Sequence, residues 1–163
     1  MNLIDSAKSA GLHLAIAESL TGGQLTATLI DTPGASEVVL GGLVAYQDQL
    51  KEQLLGVSPQ LIAAQTSVDA EVAAQMAQGV RQKLAQKCAV SESGVIGIST
   101  TGVAGPDAVG HNPVGTVFIG IASELGVKVM ALQLQGDRAQ IRNQATQAAL
   151  EGLAEEIQRL AGY

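Results

Sequence analysis

The chain is poor in aromatic and sulfur chemistry. Its 163 residues hold no tryptophan, one phenylalanine, two tyrosines and one cysteine. Hydrophobic residues make up 47% and aromatics only 2%, so the core must be built from aliphatic side chains. A single cysteine, Cys88, excludes an intramolecular disulfide and any CxxC metal or redox motif, and it reads as a small buried hydrophobe. Positive charge is scarce as well. Nine Lys and Arg against fifteen Asp and Glu leave a net charge of −6 and a pI near 4.7. That balance argues against nucleic acid as a partner, because nucleic-acid binding needs a basic footprint; an anionic ligand has to be met locally. No segment approaches the ~18 uninterrupted apolar residues of a membrane span, so no membrane partner is expected. The N-terminal "MNLIDSAKSAG" is charged early and lacks an apolar h-region, so no signal peptide is read and a cytoplasmic protein is expected. Two histidines, His13 and His111, are too few and too separated for a metal site, and neither metal nor cofactor is expected.

What the sequence does contain is alternation. Its length suits one domain able to bury roughly 70% of its unfolded surface. Residues 2–10 read as a short helix, "LHLAIA" (12–17) as a strand, and 22–30 as a helix closed by the turn "DTPG". Thr21 with Gln24 three residues on has the form of a capping box opening that helix. "VVLGGLVAY" (38–46) reads as a strand whose glycine pair marks a bulge or a close approach, followed by a polar helix carrying "DQLKEQLLGV". From Asp69 to about Lys87, Val72, Met76, Val80 and Leu84 recur at helical spacing, with acids in the first turn and lysines in the last. "SGVIGIST" (93–100) is a buried strand, 101–114 a Gly/Pro loop, and 115–123 with 127–135 a hairpin. A last helix from about Asp137 to Leu160 buries Ile141, Ala145, Ala149, Leu153 and Ile157. Strands alternating with helices early and a hairpin late predict an α/β fold with a mixed sheet covered on both faces.

Ligands in such sheets collect at the carboxyl ends of the parallel strands. Glu18 and Ser19 follow the first strand, Tyr46 and Lys51 the second, and the loop from Thr101 the third, so the three could share one pocket. Standard motifs fail: there is no GxGxxG, "GPDAVGHN" lacks the lysine and hydroxyl of a Walker loop, and Ala17-Glu18-Ser19-Leu20-Thr21 is not a GxSxG elbow. A hydroxyl nucleophile at Ser19 needs a base. His111 stands in the right loop. Lys51 is the other candidate, but lowering an amine from about 10.4 to ~7–8 costs about 3–4 kcal/mol of environment. Tyr46 could hydrogen-bond the pair. The simpler readings are a helix cap for Ser19 and a solvated helix lysine for Lys51.

"AESLTGG", "GGLVAYQDQLKEQLLGV", "TTGVAGPDAVGHNPVGTV" and "GDRAQIRNQAT" resemble, in order and spacing, four signature segments of the CinA C-terminal family, whose stand-alone members are nicotinamide-nucleotide amidohydrolases. The resemblance runs from about residue 3 to 155 and takes the chain as one domain, 1–163. It implies a three-layer α/β/α sandwich with a mixed, mostly parallel sheet, and metal-free hydrolysis of nicotinamide mononucleotide to nicotinate mononucleotide and ammonia. It places the family's serine, tyrosine and lysine on Ser19, Tyr46 and Lys51, its loop hydroxyl and glycine on Thr101 and Gly102, and its late arginine on Arg142, meeting the substrate phosphate. Thr21, Gly22 and Gly23 would then offer helix N–H groups to an anion or oxyanion. Glu18 would orient the site or hold Lys51 or a ribose hydroxyl. A homo-oligomer is expected, and the additional N-terminal domain of longer members is not. Leu20 replaces the usual Cys, Gln47-Asp48 replaces a common Ser-Asn, and "DAVGHNP" lacks a frequent Glu-Lys. The competing readings are a non-catalytic nucleotide-binding regulatory module and a serine hydrolase using His111.

Overall fold

The computed structural model describes residues 2–162; Met1 and Tyr163, the ends of the expected 1–163 domain, lie outside them. The chain runs α1 (Leu3–Ser9), β1 (His13–Glu18), α2 (Gln24–Ile30), β2 (Val39–Val44), α3 (Asp48–Leu55), α4 (Pro59–Gln65), α5 (Ala70–Lys87), β3 (Val95–Gly102), β4 (Thr116–Ser123), β5 (Gly126–Gln133) and α6 (Arg138–Leu160). The five strands lie in the order β2-β1-β3-β4-β5. β1 pairs parallel with β2 and β3, whereas β3–β4 and β4–β5 are antiparallel. Only β4 therefore opposes the direction of the other four, and the sheet is mixed.

Alternation along the strands divides the core. Leu14 and Ile16 of β1, with Ile96 and Ile98 of β3 and Ile119 and Ile121 of β4, face α1, α2 and α6. Ala15 and Ala17 face α3, α4 and α5 on the other side. That second face is lined with small residues, which lets α5 lie close: a Cβ on Gly97 would collide with the Ala77 carbonyl and one on Gly120 with the Ala73 carbonyl. Ser99 Oγ donates to that same Ala73 carbonyl at 2.6 Å.

β2 carries the irregularity its glycines suggest. Leu14 pairs with Val39 and Ala15 with Gly41, leaving Leu40 as the extra residue. Asp69 caps α5 by accepting from the Glu71 and Val72 N–H groups, and Asp137 with Gln140 forms a capping box on α6. All five apolar positions expected to be buried on α6 are buried, while Leu84 of α5 is only half-buried. α4, started by Ser58 and Pro59, is a helix the sequence reading did not separate. Cys88 ends α5 at the surface, which corrects the expectation of a buried thiol: it stands just past the last turn, beyond the apolar stripe. Among the described residues no helix is long and apolar enough to cross a membrane.

Candidate active site

β1 and β2 lie side by side, yet β1 continues to α2 on one face and β2 to α3 on the other, so a crevice opens at their carboxyl ends. A cavity of about 190 Å³ occupies it. Ser19, Leu20, Tyr46, Lys51, Thr101 and Arg138 line it, together with Gly102 and the loop through Gly105, Asp107 and Val109. Five stretches of chain thus meet: the end of β1, the start of α3, Ser67 and Val68 ahead of α5, the loop after β3 and the first turn of α6.

Ser19 is carried on a turn held at both ends. Its N–H donates to the Thr100 carbonyl at 3.0 Å, and its carbonyl accepts from the Gly22 N–H at 3.1 Å. Arg142 secures the turn from α6, donating through Nε to the Leu20 carbonyl at 2.8 Å and through Nη2 to the Thr21 carbonyl at 2.9 Å. Among the described residues the Ser19 hydroxyl and the Leu20 N–H have no hydrogen-bond partner, and both residues line the cavity.

Lys51 is the largest fully buried side chain, 1% exposed. Its Nζ donates to the Tyr46 carbonyl at 3.1 Å and stands 3.4 Å from Asp48 Oδ1. Burial holds this ammonium below the ordinary lysine range, while the charge and hydrogen bond of Asp48 and the nearby Tyr46 pull partly the other way. No hydrogen bond joins Ser19 to Lys51. Tyr46 lies at the rim, its hydroxyl accepting from Arg138 Nη2 at 3.1 Å, and Arg138 Nη1 donates to the Gly105 carbonyl at 2.6 Å. Thr101 Oγ1 donates to the Ser67 carbonyl at 2.7 Å, tying the end of β3 to the segment before α5.

Five expected substrate contacts, Glu18, Thr21, Gly22, Gly23 and Arg142, do not line the cavity. Glu18 is wholly buried and turned toward α2: its carboxylate accepts from the Gly23, Leu25 and Thr26 N–H groups and from Thr26 Oγ1. Thr21 is not the cap of α2. Its hydroxyl pairs with that of Thr100 at 2.7 Å, and the N-cap is Gly23, in the left-handed region at φ 97°. The Gly22 and Gly23 N–H groups, engaged by Ser19 and Glu18, are not free for an anion. Arg142 donates to the Leu20 and Thr21 carbonyls and does not line the cavity, whereas Arg138, one helical turn earlier on the same face, does. The "GDR" ahead of Arg142 is the sequence signal that could have found it. His111 is exposed and does not line the cavity, and His13 lies at the far, amino end of β1. Among the described residues no group of three or more His, Cys, Asp or Glu side chains is placed to hold a metal ion.

A mixed five-stranded α/β sheet thus brings a serine and a buried lysine into one crevice. Residues 1–157 match the CinA C-terminal domain model, and the chain belongs to that family. It is 44% identical over 138 residues to a CinA-like protein of Frankia casuarinae, covering 85% of this chain and 30% of that one. It is 42% identical over 152 residues to a CinA-like protein of Gemmatimonas aurantiaca, covering 93% and 34%. The chain thus spans about a third of the length of the curated relatives it matches. A crystal structure of a competence-damaged protein (CinA) superfamily protein from Escherichia coli superposes with a TM-score of 0.82 at 28% identity, covering 91% of this chain and 82% of that one. One of a competence/damage inducible protein from Agrobacterium tumefaciens gives 0.80 at 28%, covering 94% of each.

Proposed function

We propose that the chain hydrolyses the carboxamide of nicotinamide mononucleotide, releasing nicotinate mononucleotide and ammonia through an acyl-enzyme on Ser19. The observation that carries this reading is the pairing, in one small cavity, of an unpartnered serine hydroxyl with a lysine whose burial favours the neutral amine. A solvated helix lysine would not be buried, and a serine serving as a helix cap would have its hydroxyl engaged.

Neutral Lys51 accepts the Ser19 proton as Oγ attacks the carboxamide carbon, which the cationic pyridinium ring leaves electron-poor. The oxyanion that forms faces the unpaired N–H of Leu20. The Lys51 ammonium returns its proton to the departing nitrogen and ammonia leaves; water then attacks the Ser19 ester, Lys51 takes its proton and passes it to Ser19 Oγ as the ester bond breaks and the acid leaves. At about 190 Å³ the cavity is below the ~300–1,000 Å³ usual for whole-ligand pockets, so it suits the ring and its amide, with ribose and phosphate at the rim. Arg138 stands at that rim and takes the phosphate role in place of Arg142. Arg142 instead holds the turn that presents Ser19.

The test is incubation with nicotinamide mononucleotide, its riboside and free nicotinamide, with mass detection of acid formed from amide and assay of ammonia. Hydrolysis of the mononucleotide, lost in Ser19→Ala, supports the reading. Nucleotide binding without ammonia release would make the chain a binding module instead.

A further inference from the structure

Lys51 has two polar partners, and only one is charged. The Tyr46 carbonyl is a fixed backbone acceptor; Asp48, one turn back on α3 at i,i+3, is a titratable side chain. Their separation of 3.4 Å is at the outer edge of hydrogen bonding, close enough for attraction and too long for a tight ion pair. The two side chains also differ in surroundings: Lys51 is 1% exposed, in the cavity wall, while Asp48 is 50% exposed. A negative charge at Asp48 suits the first turn of a helix, and it stands beside an ammonium set in the cavity wall. Other charged or titratable groups around the cavity are Tyr46 and Arg138, which bond one another at the rim, and Asp107 on the loop after β3. No hydrogen bond or ion pair joins any of these side chains to Lys51 Nζ among the described residues.

We propose that Asp48 is a positioning residue of the site, restraining the Lys51 amine at the start of α3 and governing how readily it gives up its proton. The inference rests on Lys51 being the base of the proposed amidase. Burial by itself would drive Lys51 toward the free amine. A half-exposed carboxylate opposes that drive, so the ammonium keeps enough hold on its proton to return one to the leaving nitrogen, while the long contact lets Nζ turn to Ser19. The neutral amide of Asn at this position would keep the shape and remove the opposing charge.

The experiment compares the unsubstituted chain, Asp48→Asn and Asp48→Glu. Lys51 is titrated directly by NMR of carbon-labelled lysine; the chain has five lysines, and the Lys51 signal is the one lost in Lys51→Arg. In Asp48→Asn the midpoint should fall by about one pH unit, the low end expected for loss of a nearby opposite charge. The gap should narrow as salt is raised, because Asp48 faces solvent. Asp48→Glu should recover most of the shift. The alkaline-rising limb of nicotinamide mononucleotide hydrolysis should move to lower pH by the same amount in Asp48→Asn. An unchanged Lys51 midpoint in a folded Asp48→Asn variant would overturn the proposal whatever the activity. If the midpoint shifts but the unsubstituted chain releases no ammonia, the amidase reading fails and only the electrostatic coupling of the pair remains. If Asp48→Asn does not fold, Asp48→Ala with the same titration decides the question.

Discussion

Glu18 accepts four hydrogen bonds around the first turn of α2 while sharing a backbone junction with Ser19. A buried carboxylate here replaces the usual hydroxyl cap, because the left-handed Gly23 has no side chain to offer. Glu18→Ala strands the Gly23, Leu25 and Thr26 donors and should cost about 1.5–3 kcal/mol, lowering Tm by several degrees in a thermal melt. Activity should fall in the folded fraction too, since the Ser19 turn loses its anchor. Lys51 is the second residue with a definite expectation. Its folded value lies below the ordinary 10.5, so hydrolysis should rise with pH along a limb centred below that of a free amine. Lys51→Arg keeps the charge and cannot supply a free base, so it should be as inactive as Lys51→Met in an ammonia assay. The linkage also has a sign for stability. The unfolded chain holds the Lys51 proton more tightly than the folded chain, so charged Lys51 opposes folding at neutral pH and this cost fades as pH rises through its folded value. Lys51→Met should therefore melt higher than the unsubstituted chain near pH 7 while losing activity.

Among the elements, α5 lies close to β3 and β4, and the segment just ahead of it lines the cavity. Gly97, Ser99 and Gly120 make room for its backbone, so Ser99 reaches the Ala73 carbonyl. Gly120→Val should displace α5 and cost about 1–3 kcal/mol by denaturant unfolding, with added loss of turnover because Val68 and Ser67, just ahead of α5, line the cavity. A substitution of the same size at Gly56, where a Cβ would meet nothing, should instead act only through its positive φ of 72°. The long helices were legible in the sequence, because α5 and α6 repeat their apolar residues at helical spacing and carry acids at their N-caps. α4 was not separated although Ser58 and Pro59 mark its start, because it follows closely on the end of α3. The start of α2 was misread for a different reason: its cap comes from a preceding strand residue, five to eight positions away, and no local pattern encodes that reach.

For the whole molecule, the described residues that line the cavity lie within a stretch about a third the length of the curated relatives. The isolated 163-residue chain should accordingly hydrolyse nicotinamide mononucleotide unaided, measured as ammonia released by purified protein. Nicotinate mononucleotide at about 100 times its Kd should add about 2.7 kcal/mol of stability, in Ser19→Ala as in the unsubstituted chain. Arg138→Ala should weaken that stabilisation more than Arg142→Ala does in whatever fraction of the latter folds. Composition and periodicity alone determined an aliphatic α/β chain with a mixed sheet, and the carboxyl-end rule brought Ser19, Tyr46, Lys51 and Thr101 toward one place. Only the tertiary structure decided which way the side chains at that place turn. It turned Glu18 into α2, gave Arg142 to backbone carbonyls and brought Arg138 to the cavity, and it buried Lys51. The physical reason is that periodicity reports which face of an element is apolar, whereas a polar side chain's direction is set by the donors and acceptors that distant segments bring within hydrogen-bond reach.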